Sequence, residues 1–400
     1  MRIVLVIYGS AETRSGGYFY DRKVVEFLRS SGHLVEIVSI DPPSLVGAFC
    51  RGLFSRAAVC PAAPVLVDSA EFDWIVIDEL VHPACFAWIR HRSPARTAVL
   101  VHHLAVSEKL RPTARVLHRR MERRLLWSAD LVIANSENSA AAVSGLLGRR
   151  SHRPIPPISV CRPGVDRPPF DAGSGHEPSA EAADSATLPG STPFTLIATG
   201  NLIRRKGHHL LLELIARVEP RVKLVVTGDR EVDPLYTARL LRELRRRRLE
   251  DRITFVGYLS VAELHQAYRR ANLFVTATEH EGYGMSLAEA LCEGLPFVAF
   301  DAGALREVAP SAFMPRTEKE LESLCTTRAA TERGFSGILL PYADLRLFAR
   351  AVSLIAADPS LLQAMSRNAL ADATMLPSWN DTGTCFASAL MSPQGELHVG

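Results

Sequence analysis

Glu281 and Glu289 stand with seven residues between them, and a Gly-aromatic-Gly turn, Gly282, Tyr283 and Gly284, follows the first directly. A helix is expected from about Ser286 to near Gly294, with Pro296 beyond it as a stop signal. Backbone N–H groups in a glycine turn approach a ligand closely because no side chain intervenes. Together with a helix N-terminus they favour a phosphate. Two carboxylates beside such a turn are acceptors for sugar and ribose hydroxyls. A plainer role is open for one of them. Ser286 and Glu289 fit S-x-x-E, so Glu289 can equally serve as the far half of a capping box.

A second constellation lies about 75 residues upstream. Phe194–Thr199 is an apolar run that reads as a strand, broken at Gly200 and Asn201. A helix opens around Gly207, with leucines at 210, 211, 212 and 214. Between strand and helix stand Arg204, Arg205 and Lys206. Open α/β sheets bind ligands outside the carboxyl ends of their strands. Arg offers a fork to phosphate oxygens and Lys a compact charge. A solvated basic loop explains three cations taken alone; their pairing with the two glutamates favours an anion site.

The elements that must position these residues alternate. Strands are expected at 2–7, 34–40, 74–77, 97–101 and 131–134, with helices near 19–31, 83–91, 112–127 and 137–147. Residues 166–192 are rich in Pro, Gly, Ala, Ser and acids without apolar period, and read as a linker or disordered insertion. Alternation resumes with strands at 194–199, 222–227, 252–256, 273–276 and 297–300, then helices over 345–368 and 379–391. The expected fold class is α/β, two doubly wound Rossmann-like domains of parallel sheet facing a cleft. The expected division is 1–165, the linker 166–192, a second domain 193–370, and 371–400 returning to the first.

Composition narrows the function classes. Four hundred residues exceed one core. A net charge of +3 is small for that length and does not argue for nucleic acid. Seven cysteines are scattered without a C-x-x-C, so neither a disulfide framework nor a zinc site is expected, and a cytoplasmic, reducing compartment fits. No apolar stretch reaches about 18 residues, so no membrane span is expected. The opening MRIVLVIYG is too short for a signal peptide. A dinucleotide site in the first domain is disfavoured. Its first turn, YGSAETRSGG, has no G-x-G-x-x-G, and Asp41 reads as a turn residue before Pro42.

The segments GNLIRRKGHH and EGYGMSLAEALCEGLPFV resemble the donor-site motifs of retaining glycosyltransferases of the GT-B fold, family 4. The resemblance runs nearly end to end, through SGGYFYDRKVVEFLRSSGHLVEIVSI, ADLVIANSENSAAAV, CRPGVD, RITFVGYLSVAELHQAYRRANLFVTAT, GFSGILLPYADLRLFARAV and the late Ser378-Trp379. It implies transfer of a hexose-like sugar from a nucleoside diphosphate donor, with anomeric retention, no cofactor and no metal. Many members carry Arg directly after the glycine of the first motif, where this chain has Asn201; Arg205 beside Lys206 is then the expected phosphate contact. Glu289 would bind the ribose and Glu281 the sugar. Gly228 and the Gly257–Tyr258 turn would flank the base. Of the adjacent His102 and His103 only one can face the ligand, and family position favours His103, near the transferred sugar.

Further residues are weighed the same way. Gly16 and Gly17, in the loop after the first strand, can bring N–H groups to a diphosphate, or form a flexible turn. Asp78 and Glu79 end the strand WIVID and either orient an acceptor hydroxyl or cap the next helix. Residues 111–127 hold six arginines and His118 around an apolar stripe. That pattern suits a surface helix on its own sheet, or one resting peripherally on an anionic membrane. The acceptor, whether glycan, lipid or small molecule, is not legible. Rivals are an epimerase or phosphorylase of the same fold, or a weakly catalytic sugar-nucleotide-binding protein.

Overall fold

The computed structural model describes residues 1–40, 71–85, 95–148, 154–167, 193–324 and 334–392. They divide into two compact units, Met1–Gly164 with Pro377–Gly400, and Val165–Leu376. Each unit is built on one six-stranded parallel sheet.

In the first unit the strands are β1 (Arg2–Tyr8), β2 (Leu34–Ile40), β3 (Trp74–Asp78), β4 (Arg96–Val101), β5 (Leu131–Ala134) and β6 (Ile158–Val160), in the order β2-β1-β3-β4-β5-β6. The run Arg2–Tyr8 shows why the strand segments read as continuously apolar. Val4 and Val6 pack into one cluster, while Ile3, Leu5 and Ile7 pack into another. Successive side chains point to opposite faces, and both faces of a parallel sheet are covered. The helix Trp379–Met391 belongs to this unit. Phe386 joins the cluster around Ile3, Tyr20 and Leu28, and the Trp379 ring meets Phe19 edge-on at 5.4 Å.

The second unit holds β7 (Phe194–Thr199), β8 (Val222–Thr227), β9 (Ile253–Gly257), β10 (Leu273–Thr276), β11 (Phe297–Phe300) and β12 (Gly337–Leu340), in the order β12-β11-β10-β7-β8-β9. Both sheets reverse direction once. In the second, β8 and β9 follow β7 on one side and β10 lies on the other; in the first, β2 and β3 flank β1. Such a reversal leaves a crevice at the carboxyl ends of the two strands beside it. The loops after β7 and β10, and after β1 and β3, are therefore the places to look for chemistry.

Two strands escaped the sequence reading, β6 and β12. They are three and four residues long, and both lie at an edge of their sheet. The helical stretch expected over 345–368 is two helices, Leu345–Ala357 and Pro359–Thr374. Asp358 caps the second, accepting from the N–H groups of Ser360 and Leu361 at 3.0 Å each, and Pro359 takes its first turn. Asp41, residues 86–91 of an expected helix, and 168–192 of the expected linker lie outside the described residues.

Candidate functional site

At the reversal of the second sheet the structure brings three of the named side chains together. Arg204–Lys206 form a single 3₁₀ turn after β7, ending at Gly207 in the left-handed region (φ 70°). A Cβ on Gly207 would stand 2.0 Å from the carbonyl oxygen of Ala277, just past β10, so only glycine lets the two loops touch. The Arg205 carbonyl accepts from the N–H of Glu279 at 2.8 Å, and its Nη1 donates to the His280 carbonyl at 2.7 Å. Lys206 Nζ then donates to both Glu281 oxygens, at 2.8 and 3.0 Å, with Arg205 Nη1 4.0 Å from the same carboxylate. Burial pushes the Glu281 carboxyl up, but Lys206 and then Arg205 outweigh it and hold it down at about 2. Glu281 is thus ionised throughout the working range, with two cations beside it. From the far side, Gly303 (φ 61°) lets the Ala304 N–H reach the Glu281 carbonyl at 3.1 Å.

Glu289 lies on the helix Met285–Cys292. The capping box open to it does not form: the N-cap is Gly284, left-handed at φ 110°, and Ser286 sits inside the first turn. The Glu289 carboxylate instead accepts from the buried Tyr268 hydroxyl at 3.1 Å. Burial raises its pKa to about 7, against the Tyr268 bond and with repulsion from Asp166 adding to it. Tyr283 between the two turn glycines is buried at 3 % exposure, so its ring anchors the turn rather than facing solvent.

The neighbouring strand ends are pinned by glycine as well. A Cβ on Gly228, just past β8, would meet the Gly200 carbonyl at 2.1 Å. Asn201 Oδ1 accepts from the Asp229 N–H at 3.2 Å, tying the loops after β7 and β8 together. The Gly228 N–H donates to the Gly257 carbonyl at 2.8 Å, and Tyr258 beyond it is exposed.

In the first unit the adjacent histidines separate as an extended chain requires. His103 Nε2 pairs with Glu108 at 2.9 Å and stays partly exposed. His102 turns inward, with Nε2 3.0 Å from Asp21 and its backbone N–H donating to Glu79 at 3.0 Å. Its ring forms the floor under Gly17, where a Cβ would come to 3.2 Å. Gly16 opens the helix Gly16–Ser30, capped by Ser15. Asp78 is a cap, accepting from the Leu80 N–H at 2.9 Å. Burial lowers the His102 pKa, but Asp21, then Asp78 and Glu79, outweigh it and carry it up to about 10. Burial and Asp21 lift Asp78 to about 7. Among the described residues, Asp21, Asp78 and His102 are the group whose ligand atoms, within 4.8 Å of one another, have metal-binding spacing.

Glu122 was missed. It lies on the helix Pro112–Ser128 among the arginines, yet is 1 % exposed and accepts from the Ala105 N–H at 2.5 Å, fixing the loop after His103. Asp21 was missed too. The signal for both was an acid on the apolar stripe of a helix, which needs a partner when buried. Gly207, expected only as a helix start, and Gly303 hold the site's loops together; a glycine in a strand-to-helix loop was their signal.

Residues 180–314 match the family described as glycosyl transferases group 1. Mannosylfructose-phosphate synthase of Agrobacterium fabrum is 34 % identical over 118 residues, 28 % of this chain and 26 % of that protein. D-inositol 3-phosphate glycosyltransferase 2 of Catenulispora acidiphila is 32 % identical over 213 residues, covering 50 % of this chain and 46 % of that one. The matched stretches thus span less than half the length of these curated relatives. Among solved structures, sucrose-phosphate synthase from Thermosynechococcus elongatus superposes with a TM-score of 0.72 at 19 % identity, covering 97 % of each chain. Anabaena HepE, solved with UDP-glucose, gives 0.69 at 19 % identity, covering 98 % of this chain and 100 % of that one. These likenesses are of fold. Residues 180–314 thus carry the match to the glycosyl transferases group 1 family, and the fold is GT-B.

Proposed function

We propose that the protein is a retaining glycosyltransferase of family 4, taking a hexose from a nucleoside diphosphate sugar and needing no metal. The observation that carries this reading is the Lys206–Glu281 contact with Arg205 beside it, at the reversal of the second sheet. Two cations and a carboxylate held ionised next to a glycine turn suit a diphosphate joined to a polyol. HepE, of the same fold, was solved with UDP-glucose. Arg205 and Lys206 would neutralise charge growing on the leaving diphosphate, a preorganised stabilisation of the transition state. Glu281 would accept from the sugar's hydroxyls and Glu289 from the ribose. Asn201, Gly228, Gly257 and Tyr258 would border the nucleoside, and Gly282 and Gly284 the phosphates. Within the first unit, His103, Gly16 and Gly17 stand on strand-end loops and would be that unit's own candidates for contacting a sugar phosphate.

The test is a thermal-shift screen of UDP, GDP and ADP and their glucose and mannose conjugates. A ligand at 100 times its Kd adds about 2.7 kcal/mol. Conjugates that bind are then incubated with candidate alcohols, with and without EDTA, and the product anomer is read by NMR. No shift with any of them sinks the donor assignment. Product formed without an acceptor alcohol would favour an epimerase or phosphorylase.

Glu289 supplies a pH signature. A ribose hydroxyl donates to the ionised carboxylate, so affinity for a bound sugar nucleotide should rise as pH climbs through about 7, where Glu289 loses its proton. The diphosphate diester itself does not titrate there. Glu289→Gln should weaken binding above pH 7 and flatten the profile. A variant that keeps both affinity and pH dependence removes Glu289 from the site.

A second reading concerns the acceptor. Arg111, Arg115, Arg119, Arg120, Arg123 and Arg124 are all exposed on or beside the helix Pro112–Ser128, with Val116 at 52 % exposure among them. A peripheral contact with an anionic membrane would suit that face, each Arg adding about 1 kcal/mol in a field that salt screens. Sedimentation with anionic vesicles should then show binding that falls as salt rises and disappears when Arg119, Arg120 and Arg123 become Ser. Equal behaviour with neutral vesicles retires a lipid surface.

A further inference from the structure

Cys161 follows β6 directly, and Cys385 lies in the helix Trp379–Met391, 224 residues later. Their sulfurs are 2.8 Å apart, less than about 1 Å beyond a disulfide bond length of about 2.05 Å. Cys385 Sγ also reaches the Val160 carbonyl at 3.4 Å, so the thiol is seated against the end of the edge strand. Cys161 is fully buried, while Cys385 is partly exposed.

We propose that Cys161 and Cys385 form a reversible disulfide that staples the C-terminal helix to the first unit. The proposal is independent of the sugar-nucleotide reading. The pair is chemically unequal, which sets the order of attack in a disulfide exchange. The hydrogen bond between the two sulfurs lowers the Cys385 pKa against burial, with Arg162 adding to the effect. The same hydrogen bond, with burial, pushes Cys161 up. Cys385 is therefore the nucleophile and Cys161 the resolving thiol. The oxidant is a low-molecular-weight disulfide. Cys385 thiolate attacks one of its sulfurs and expels the first small thiolate. Cys161 then gives up its proton as its sulfur attacks Cys385 and expels the second. Two protein thiols become one disulfide, and the small disulfide leaves as two thiols carrying the two electrons and two protons.

The bond would lie close to where the chain leaves the first unit, at Gly164, and where it returns, at Pro377. The two passages already touch inside that unit. A Cβ on Gly164 would come within 2.3 Å of the Trp379 nitrogen, and Thr382 Oγ1 donates to the Arg162 carbonyl at 2.8 Å. Detaching the helix would uncover Phe386 and Leu390, which are 2 % and 1 % exposed. A covalent tie there removes that opening without disturbing the packing.

The full-length wild-type chain, folded, is incubated with oxidised glutathione and mapped by mass spectrometry without reduction. A Cys161–Cys385 peptide pair, reversed by dithiothreitol, is the expected result. The oxidised chain should melt several degrees above the reduced one, with slower amide exchange over 379–391. Cys385→Ser under the same oxidant should show neither change. A glutathione adduct persisting on Cys385, a bond between other cysteines, or no reaction overturns the proposal. So does a cross-linked chain whose helix exchanges as fast as before.

Discussion

Replacing Lys206 with alanine should lower turnover by about 10²-fold or more and leave a folded chain. Loss of a charge contact made in the transition state has effects of that size. Lys206 Nζ sits on both Glu281 oxygens, with 17 % of its side chain exposed, so no mobile cation replaces it. The substitution also releases Glu281. Its carboxyl is held down at about 2 because the cations outweigh burial. A depressed pKa contributes stability above the ordinary carboxylate range, lost as pH falls toward 2. Without Lys206, burial acts more freely and the pKa moves up, so the variant should lose donor affinity at mildly acidic pH where wild type does not. Arg205→Ala should approach the same loss, because it removes a cation and the bond to the His280 carbonyl. Asn201→Ala should cost far less, since Asn201 ties one loop to another. Steady-state kcat for the three variants decides it; the greatest sensitivity at Asn201 would overturn the phosphate assignment.

Gly303→Ala should damage both stability and donor binding. The residue has φ 61°, and an added Cβ would stand 1.9 Å from the Glu281 carbonyl oxygen. The left-handed backbone alone costs a side chain on the order of 1–3 kcal/mol. The clash is with backbone, which no rotamer relieves, so the loop carrying Glu281 must shift. A displacement of about 1 Å at a positioned group costs on the order of 10²-fold in rate. Gly32→Ala is the control: φ is 83° there, but nothing lies within 4 Å of the new Cβ. Melting temperature should fall for both variants, further for Gly303→Ala, and only that variant should lose sugar-nucleotide binding. Equal effects would mean that strain, not the contact with Glu281, is what glycine avoids.

The inner strands were legible because a sheet covered on both faces writes itself as an unbroken apolar run. Ile3–Ile7, Leu196–Ala198 and Phe297–Phe300 all show it, and all are buried. Ile158–Val160 did not, being three residues long and half-buried at the sheet's edge. The Ser286–Glu289 spacing suggested a capping box, and the left-handed Gly284 took the N-cap position first. Local patterns of this kind are degenerate, and tertiary packing chooses between them: a Cβ on Gly284 would stand 2.6 Å from Leu305 Cδ2.

Sequence alone determined the kinds of groups and their order: cations after one strand, carboxylates and glycines after another, each at a helix start. It did so because side-chain chemistry and hydrophobic period are local. Tertiary structure decided which groups meet. Lys206 and Glu281 are 75 residues apart and touch because β10 lies beside β7 rather than beyond β9. Asp21 reaches His102 across 81 residues for the related reason that only β3 separates β1, which precedes its helix, from β4. Those pairings fix which carboxylate is ionised and which retains its proton, because charge separation and burial depend on distance in space.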